Sequence, residues 1–115
     1  MIVGIGVDII DVKRIKTLVD KNPRFIQRIF TPEEIRYCLR KKNKYQHLAA
    51  RFSAKEAFFK ALGRKISWKE VGLKNLASGK PQLEIKSEEN FPFKEAHVSI
   101  SHLEKLTAAV VILEK

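Results

Sequence analysis

Two acidic residues stand in segments that are otherwise apolar, and their positions point to phosphoryl chemistry. Asp8 lies in the run of Val and Ile residues that opens the chain, and Glu56 lies at the margin of an apolar stripe on a helix predicted over residues 45–62. A carboxylate in such surroundings is costly to bury unless it is paired or holds a cation. Two carboxylates can supply the few oxygen ligands that Mg²⁺ takes from a protein, and Lys60, one turn after Glu56, would lie beside phosphate oxygens.

Each of these residues also has a simpler interpretation. Asp8 could cap the turn that follows its strand, although Asp11 is better placed to do so. Glu56 could form an ordinary i,i+4 ion pair with Lys60 on the helix surface. The metal hypothesis requires the first strand and the long helix to meet, which residue spacing alone does not establish.

The opening segment, residues 1–10, has the alternation of a β-strand. One face, which we expect to be the core face, carries Val3, Ile5, Val7 and Ile9. Gly4 and Gly6 share the other face with Asp8. A third glycine of a dinucleotide-binding loop is missing, so we interpret the two glycines as a place where another chain segment or a ligand approaches closely.

Helix-start signals recur through the first half of the chain. Asp11 is a suitable N-cap, Asn22-Pro23 predicts the start of a short helix, and Thr31 with Glu34 predicts a capping box. Gly63 is placed to end the long helix in a left-handed conformation. The predicted apolar stripe of that helix consists of Tyr45, Leu48, Phe52, Phe59 and Leu62.

The last third of the chain has the pattern of β-strands. Residues 71–76 and 82–85 flank a turn at 78–81, and residues 97–102 and 106–113 form a second predicted hairpin. We therefore predict an α+β fold, with an antiparallel sheet packed against the long helix, in a single domain over residues 1–115.

Five motifs occur in the order and spacing of a known enzyme family. They are Gly4-Ile-Gly-Val-Asp8-Ile, Arg51-Phe-Ser-Ala-Lys55-Glu56-Ala-Phe58, Lys60-Ala-Leu-Gly63, Gly79-Lys80-Pro81 and His97-Val-Ser-Ile-Ser-His102. The chain thus resembles the 4′-phosphopantetheinyl transferases over nearly its whole length. Its size is similar to that of their short branch, the holo-acyl-carrier-protein synthases.

The resemblance implies transfer of 4′-phosphopantetheine from coenzyme A to a serine of apo acyl carrier protein, for fatty acid biosynthesis. Asp8 and Glu56 match the family's Mg²⁺ ligands, and Lys60 matches a residue near the pyrophosphate. Other matched positions are expected to line the coenzyme A site: Arg51, Gly63, Lys80, Pro81, Ser101 and His102. The base that takes the serine proton stays open between a metal-bound water and Lys60. The short branch forms trimers, so we expect a homotrimer with sites between subunits.

Charge is concentrated in one half of the chain. Residues 12–65 hold 16 of the 23 Lys and Arg residues but only 4 of the 13 acidic ones. Such a surface attracts a polyanion. Combined with the resemblance, this predicts an acidic acyl carrier protein as the partner, contacted by Arg14, Lys21, Arg24, Phe25, Ile26 and Arg28.

Two other functional classes, a nucleic-acid-binding module and a structural scaffold, each agree with part of the sequence. A nucleic-acid-binding module would fit the basic charge, but aromatic residues are not interleaved with basic ones and no recognised motif occurs, so we expect no nucleic acid partner. A catalytically silent trimeric scaffold would not need both carboxylates and Lys60. With one cysteine, Cys38, and no 18-residue apolar run, we expect a cytoplasmic enzyme without disulfide, signal peptide or membrane association.

Overall fold

The computed structural model describes residues 1–115 as an α+β fold, which confirms the predicted class. Its elements in chain order are β1 (Ile2–Asp11), α1 (Val12–Lys21), α2 (Phe25–Ile29), α3 (Pro32–Leu39), α4 (Lys44–Leu62), a 3₁₀ turn (Trp68–Glu70), β2 (Val71–Asn75), β3 (Pro81–Ile85), β4 (Glu95–His102) and β5 (Leu106–Glu114). A three-stranded antiparallel sheet has the order β1-β5-β4, and β2 pairs with β3 in a separate hairpin.

Local side-chain signals set most helix ends. Asp11 accepts a hydrogen bond from the Lys13 amide at the start of α1, and Thr31 and Glu34 form the predicted capping box at the start of α3. Gly63 ends α4 with φ of 86°. The short helix α2 begins at Phe25 rather than at Pro23, because Asn22 is used in a turn in which its side chain accepts from the Arg24 amide.

The long helix α4 lies across the sheet and contacts all three of its strands. Only Leu48 and Phe59 of the five predicted stripe residues are buried, and the other three are half-buried, so the predicted stripe does not coincide with the buried face of the helix. Alanines complete the buried surface, because the helix packs against the sheet on one side and against α1 and α3 on others. No helix in the chain combines the length and the apolar composition needed to cross a bilayer.

The predicted core face of β1 was wrong. Side chains of that face are exposed: Val3 by 40%, Ile5 by 63%, Val7 by 62% and Ile9 by 65%. The opposite face, which carries Gly4, Gly6, Asp8 and Ile10, lies against α4. The outer face of the sheet is therefore an uncovered apolar surface, extended by Val110 and Ile112 of β5, which pair with Val7 and Ile5.

The two glycines of β1 are there because α4 passes directly over them. A Cβ atom built on Gly6 would lie 1.9 Å from the Ala57 carbonyl oxygen, and one on Gly4 would lie 2.1 Å from that of Ala61. The predicted close approach is confirmed, and the segment that approaches is the chain's own helix. The glycines thereby bring Asp8 to the surface of α4.

Gly6→Ala is expected to destabilise the fold by about 3 kcal/mol or more, because the clash is with helix backbone that cannot move alone. Urea denaturation measures the loss. Gly72→Ala is the matched control: Gly72 is also buried in a strand, but its added Cβ would meet nothing closer than 3.8 Å. Equal stabilities for the two variants would contradict the packing argument.

Candidate active site

One flank of α4 meets the edge strand β1 and brings Asp8 together with Lys60. The Lys60 Nζ donates to the Asp8 carboxylate at 3.2 Å and to the Val7 carbonyl at 3.0 Å. Ser53, two turns earlier on the same helix face, donates to the Asp8 carbonyl at 3.2 Å. Asp8 therefore does not cap the following turn, and its carboxylate is only 15% exposed.

Glu56 lies between these two contacts, three residues after Ser53 and four before Lys60. It is half-buried and forms no ion pair, so the simple Glu56–Lys60 pair is wrong. Its position, four residues before Lys60, is on the same side of α4, and the Lys60 ammonium already pairs with Asp8. Carboxylate oxygens are ligands that Mg²⁺ takes from proteins, so Asp8 and Glu56 are the candidate ligands on this flank.

The other flank of α4 holds a buried cation. Arg51 is 3% exposed, its Nη2 donates to the Asn75 side chain at 2.8 Å, and its guanidinium carbon lies 4.4 Å from the centre of the Tyr37 ring. No carboxylate pairs with it, and its Nε has no hydrogen-bond partner. A buried cation without a counter-charge favours binding of an anion.

A cavity of about 190 Å³ opens beside Arg51. Its polar and ring-bearing lining comprises Tyr37, His47, Arg51, Asn75, Pro81 and His102. Tyr37, Arg51, Leu73 and Asn75 also line a cavity of about 600 Å³ between α3 and β2. Burial, followed by the positive charges of Arg51 and Lys41, holds the pKa of His47 below its usual value.

Three of the predicted coenzyme A residues, Arg51, Pro81 and His102, thus meet at one cavity, and Lys80 is exposed next to Pro81. Gly63 and Ser101 do not join them. Gly63 is an exposed helix end with open space around it, and Ser101 is exposed on the outer face of the sheet.

Sequence reasoning missed His47, Tyr37 and Asn75 at the Arg51 cavity. Spacing contained one usable signal, because His47 precedes Arg51 by one helical turn. Tyr37 and Asn75 are contributed by α3 and β2, and no local pattern predicts that these elements meet α4.

The predicted partner-binding residues lie on α1, α2 and the turn between them. Arg14, Lys21, Arg24 and Arg28 are exposed, whereas Phe25 and Ile26 are half-buried. Phe25 packs its ring against those of Phe30 and Phe52. The basic side chains are free to meet a partner, and the two apolar ones also belong to the local core.

Cys38 takes no part in either group. It is fully buried, and burial raises the pKa of its thiol to about 11. A thiol held in its neutral form is not a nucleophile near pH 7.

The two flanks lie on opposite sides of α4. In the sheet, Asp8 of β1 pairs with Ala109 of β5, and Ala109 pairs with Ile100 of β4, which lines the Arg51 cavity. The carboxylate edge and the cavity edge are therefore two strand spacings apart, or about 10 Å. Glu56 and Arg51 are about 140° apart around the helix. Because α4 lies between them, the carboxylates and the anion cavity are on different sides of the chain.

Comparison with known proteins identifies the family. A model described as the 4′-phosphopantetheinyl transferase superfamily matches residues 4–111. The chain belongs to this superfamily. Within it, the chain is 44% identical to the holo-[acyl-carrier-protein] synthase of Halothermothrix orenii, over 100% of this chain and 99% of the relative. It is 41% identical to that of Geotalea daltonii, over 100% of both chains.

Solved structures of superfamily members share the fold. The synthase from Bacillus anthracis, in complex with CoA (3′,5′-ADP), superposes with a TM-score of 0.86 at 37% identity and covers 100% of this chain and 98% of its own. The synthase from Helicobacter pylori, in complex with coenzyme A, gives a TM-score of 0.84 at 29% identity, over 96% and 99% of the two chains. The resemblance found in the sequence motifs is confirmed.

Proposed function

We propose that this chain, as a single domain over residues 1–115, transfers 4′-phosphopantetheine from coenzyme A to a serine of apo acyl carrier protein, giving the holo carrier for fatty acid biosynthesis. The observation that carries the proposal is the ion pair between Asp8 of β1 and Lys60 of α4, with Glu56 one helical turn before Lys60, at the positions that match the family motifs. The proposed setting is the cytoplasm, where a free thiol such as Cys38 is ordinary.

The proposed metal ligands are the carboxylates of Asp8 and Glu56. Their all-oxygen character suits Mg²⁺, which keeps its remaining positions for water and phosphate oxygens. When bound, the ion would neutralise charge on the pyrophosphate of coenzyme A. Binding would also separate Asp8 from Lys60, since the Lys60 ammonium now occupies the cationic position beside Asp8.

The chain's own residues have separate tasks in the proposed reaction. The serine oxygen forms a bond to the phosphorus that carries pantetheine, the bond from that phosphorus to the adenosine bisphosphate oxygen breaks, and the serine proton passes to water. Lys60 is 55% exposed, so its ammonium can turn from Asp8 towards the phosphate oxygens. Because it donates to a carbonyl and a carboxylate, we assign Lys60 to charge neutralisation and not to proton removal.

The proposed ligand of the Arg51 cavity is the phosphate monoester of the adenosine part of coenzyme A. Support comes from the unpaired Nε of Arg51, which a phosphate oxygen would satisfy by a charge-assisted hydrogen bond. His47 and His102 add donors, and Pro81 adds an apolar wall. Gly63 and Ser101 do not line this cavity.

Binding of coenzyme A is expected to take up protons through His47. In the unbound protein the His47 imidazole has a lowered pKa and is neutral at pH 7. A phosphate dianion beside the imidazole would raise this pKa. The affinity for coenzyme A should therefore increase as the pH falls from 7 towards the pKa of the unbound imidazole. Calorimetry at pH 7 in buffers of different ionisation enthalpy should show an uptake by wild type that exceeds that of His47→Gln by up to about one proton. Equal uptake by the two proteins would place the phosphate elsewhere.

The proposed docking surface for the acidic carrier protein consists of Arg14, Lys21, Arg24 and Arg28, with apolar contact from Phe25 and Ile26. These basic residues are exposed on consecutive helices at the end of β1 that carries Asp8. Complementary charge of this kind acts mainly on the association rate.

The proposed assembly is a homotrimer with each site shared by two chains. Two observations support it. The apolar face of β1 leaves Val3, Ile5, Val7 and Ile9 at least 40% exposed, as at an interaction surface, and the carboxylate flank and the Arg51 cavity of one chain face different ways. In a closed ring, one chain's carboxylates can meet its neighbour's cavity.

Mass spectrometry tests the proposed function. Apo acyl carrier protein incubated with this chain, coenzyme A and Mg²⁺ should gain the mass of phosphopantetheine, and a chelator should prevent the gain. Failure with several carrier proteins, together with salt-sensitive oligonucleotide binding, would favour the nucleic-acid module instead.

A further inference from the structure

A buried ion pair lies next in sequence to the proposed metal ligand Glu56 and has no role in the proposed reaction. The Lys55 Nζ is 2.7 Å from the Glu34 carboxylate, with side-chain exposures of 0% and 2%. Lys55 directly precedes Glu56 on α4 but points into the core, next to the Phe30 ring.

Both members of the pair hold main-chain groups of other segments. The Lys55 ammonium donates to the Ile29 carbonyl at 2.7 Å, at the last residue of α2, and to the Trp68 carbonyl at 3.2 Å. The Glu34 carboxylate accepts from the amides of Thr31 and Leu73, each at 2.9 Å. Three ammonium donors thus meet three acceptors, and one pair fixes α2, α3, β2 and the 3₁₀ turn to α4.

This arrangement does more than a packed apolar pair could. Replacing a buried ion pair by hydrophobic residues of similar volume is often neutral for stability. Here the replacement would leave the Ile29 carbonyl and the amides of Thr31 and Leu73 without these partners in the core, whereas the Trp68 carbonyl would keep the Val71 amide. What the pair adds over apolar packing is therefore the directed attachment of main chain.

We propose that Lys55 is a positioning residue for carrier-protein docking: by holding the Ile29 carbonyl, it fixes α2, with Arg24, Phe25, Ile26 and Arg28, relative to the helix that carries Glu56 and Lys60. The proposal rests on the proposed function. The five-residue helix α2 has few other directed attachments, since its start has no side-chain cap.

The effect should be selective because the carboxylate flank is held by other contacts. Asp8, Lys60 and Ser53 are joined by hydrogen bonds between β1 and α4, and the glycine contacts fix the same two elements. None of these involves Lys55. Loss of the ammonium should loosen α2 while leaving the metal ligands in place.

Steady-state kinetics of Lys55→Met tests this in the full-length protein, once wild type has been shown to transfer phosphopantetheine. We expect the KM for apo carrier to rise about tenfold, the effect of ~1.4 kcal/mol, with kcat and the KM for coenzyme A changed by less than about twofold. Lys55→Gln, which keeps a shorter donor, should restore part of the affinity. Relative to wild type, the rate of amide hydrogen exchange should increase more in α2 than in α4.

Leu113→Ala is the matched control for simple destabilisation. Leu113 is 1% exposed in the core cluster between β5 and α4, away from α2, so its variant should lower the urea midpoint with no change in the KM for carrier. Wild-type carrier KM in a folded Lys55→Met protein, or an equal rise in both KM values, would overturn the proposal. If Lys55→Met does not fold, Lys55→Gln decides by the same criteria; if neither folds, the pair serves folding alone and the proposal is wrong.

Discussion

Alanine at Asp8 or at Glu56 is expected to reduce metal-dependent transfer by about 10³-fold or more, because each substitution removes one of the two proposed ligands of an ion that would neutralise the pyrophosphate. Stability should change little. Asp8 pairs only with a half-exposed lysine, a contact worth at most about 1 kcal/mol, and Glu56 pairs with nothing.

Two measurements separate ligand loss from misfolding. Urea denaturation should give midpoints close to that of wild type, and the Mg²⁺ concentration for half-maximal transfer should rise for Glu56→Gln, which keeps the shape of the side chain. Ser53→Ala is the control, since it removes a contact to the Asp8 carbonyl without removing a carboxylate. Full activity of both alanine variants would refute the assignment of the metal ligands.

Helix ends were predictable because each depends on a few neighbouring residues. The capping box at Thr31 and Glu34 and the left-handed Gly63 satisfy main-chain groups locally, so their patterns are sufficient. The start of α2 was misplaced because Asn22 can satisfy a turn as well as a helix. The same local chemistry supports two structures there, and packing of Phe25 decides between them.

The inner face of β1 could not be predicted from hydropathy. A strand with Val and Ile on one side and Gly on the other normally buries the apolar side. Here the helix needs backbone contact, so the glycine side is inside, and the Val and Ile residues are left on the outer face. Hydropathy indicates that a surface is to be covered, but not whether the chain itself or another copy covers it.

The candidate site was partly predictable for the same reason. Asp8, Glu56 and Lys60 stand out because charge in an apolar segment is costly, and the motifs fix their spacing. The Arg51 cavity depends on contacts between α3, α4 and β2, which are distant in the chain. The sequence does not show that the Arg51 guanidinium is buried without an acidic partner. This is known only from its contacts with Tyr37 and Asn75 in the folded chain.

Mixing two inactive variants should restore activity if each site is shared by neighbouring chains. Asp8→Ala disables the carboxylate flank, and Arg51→Met disables the anion cavity while keeping an apolar side chain of similar length. In trimers assembled at random from equal amounts, about a quarter of all interfaces would join an intact flank to an intact cavity, and in each mixed trimer about one interface in three would do so. Co-expression with two different tags, followed by transfer assays on doubly tagged protein, measures the recovery.

The mixing experiment distinguishes a site held by one chain from a site shared by two neighbouring chains. If one chain held the whole site, every subunit of a mixed trimer would carry one defect, and the activity would be the average of the two parents. Recovery far above that average requires Asp8 of one chain to work with Arg51 of another. Because α4 separates the two flanks within a chain, we expect recovery, and the exposed Val and Ile face of β1 is the surface that we propose to join the partners.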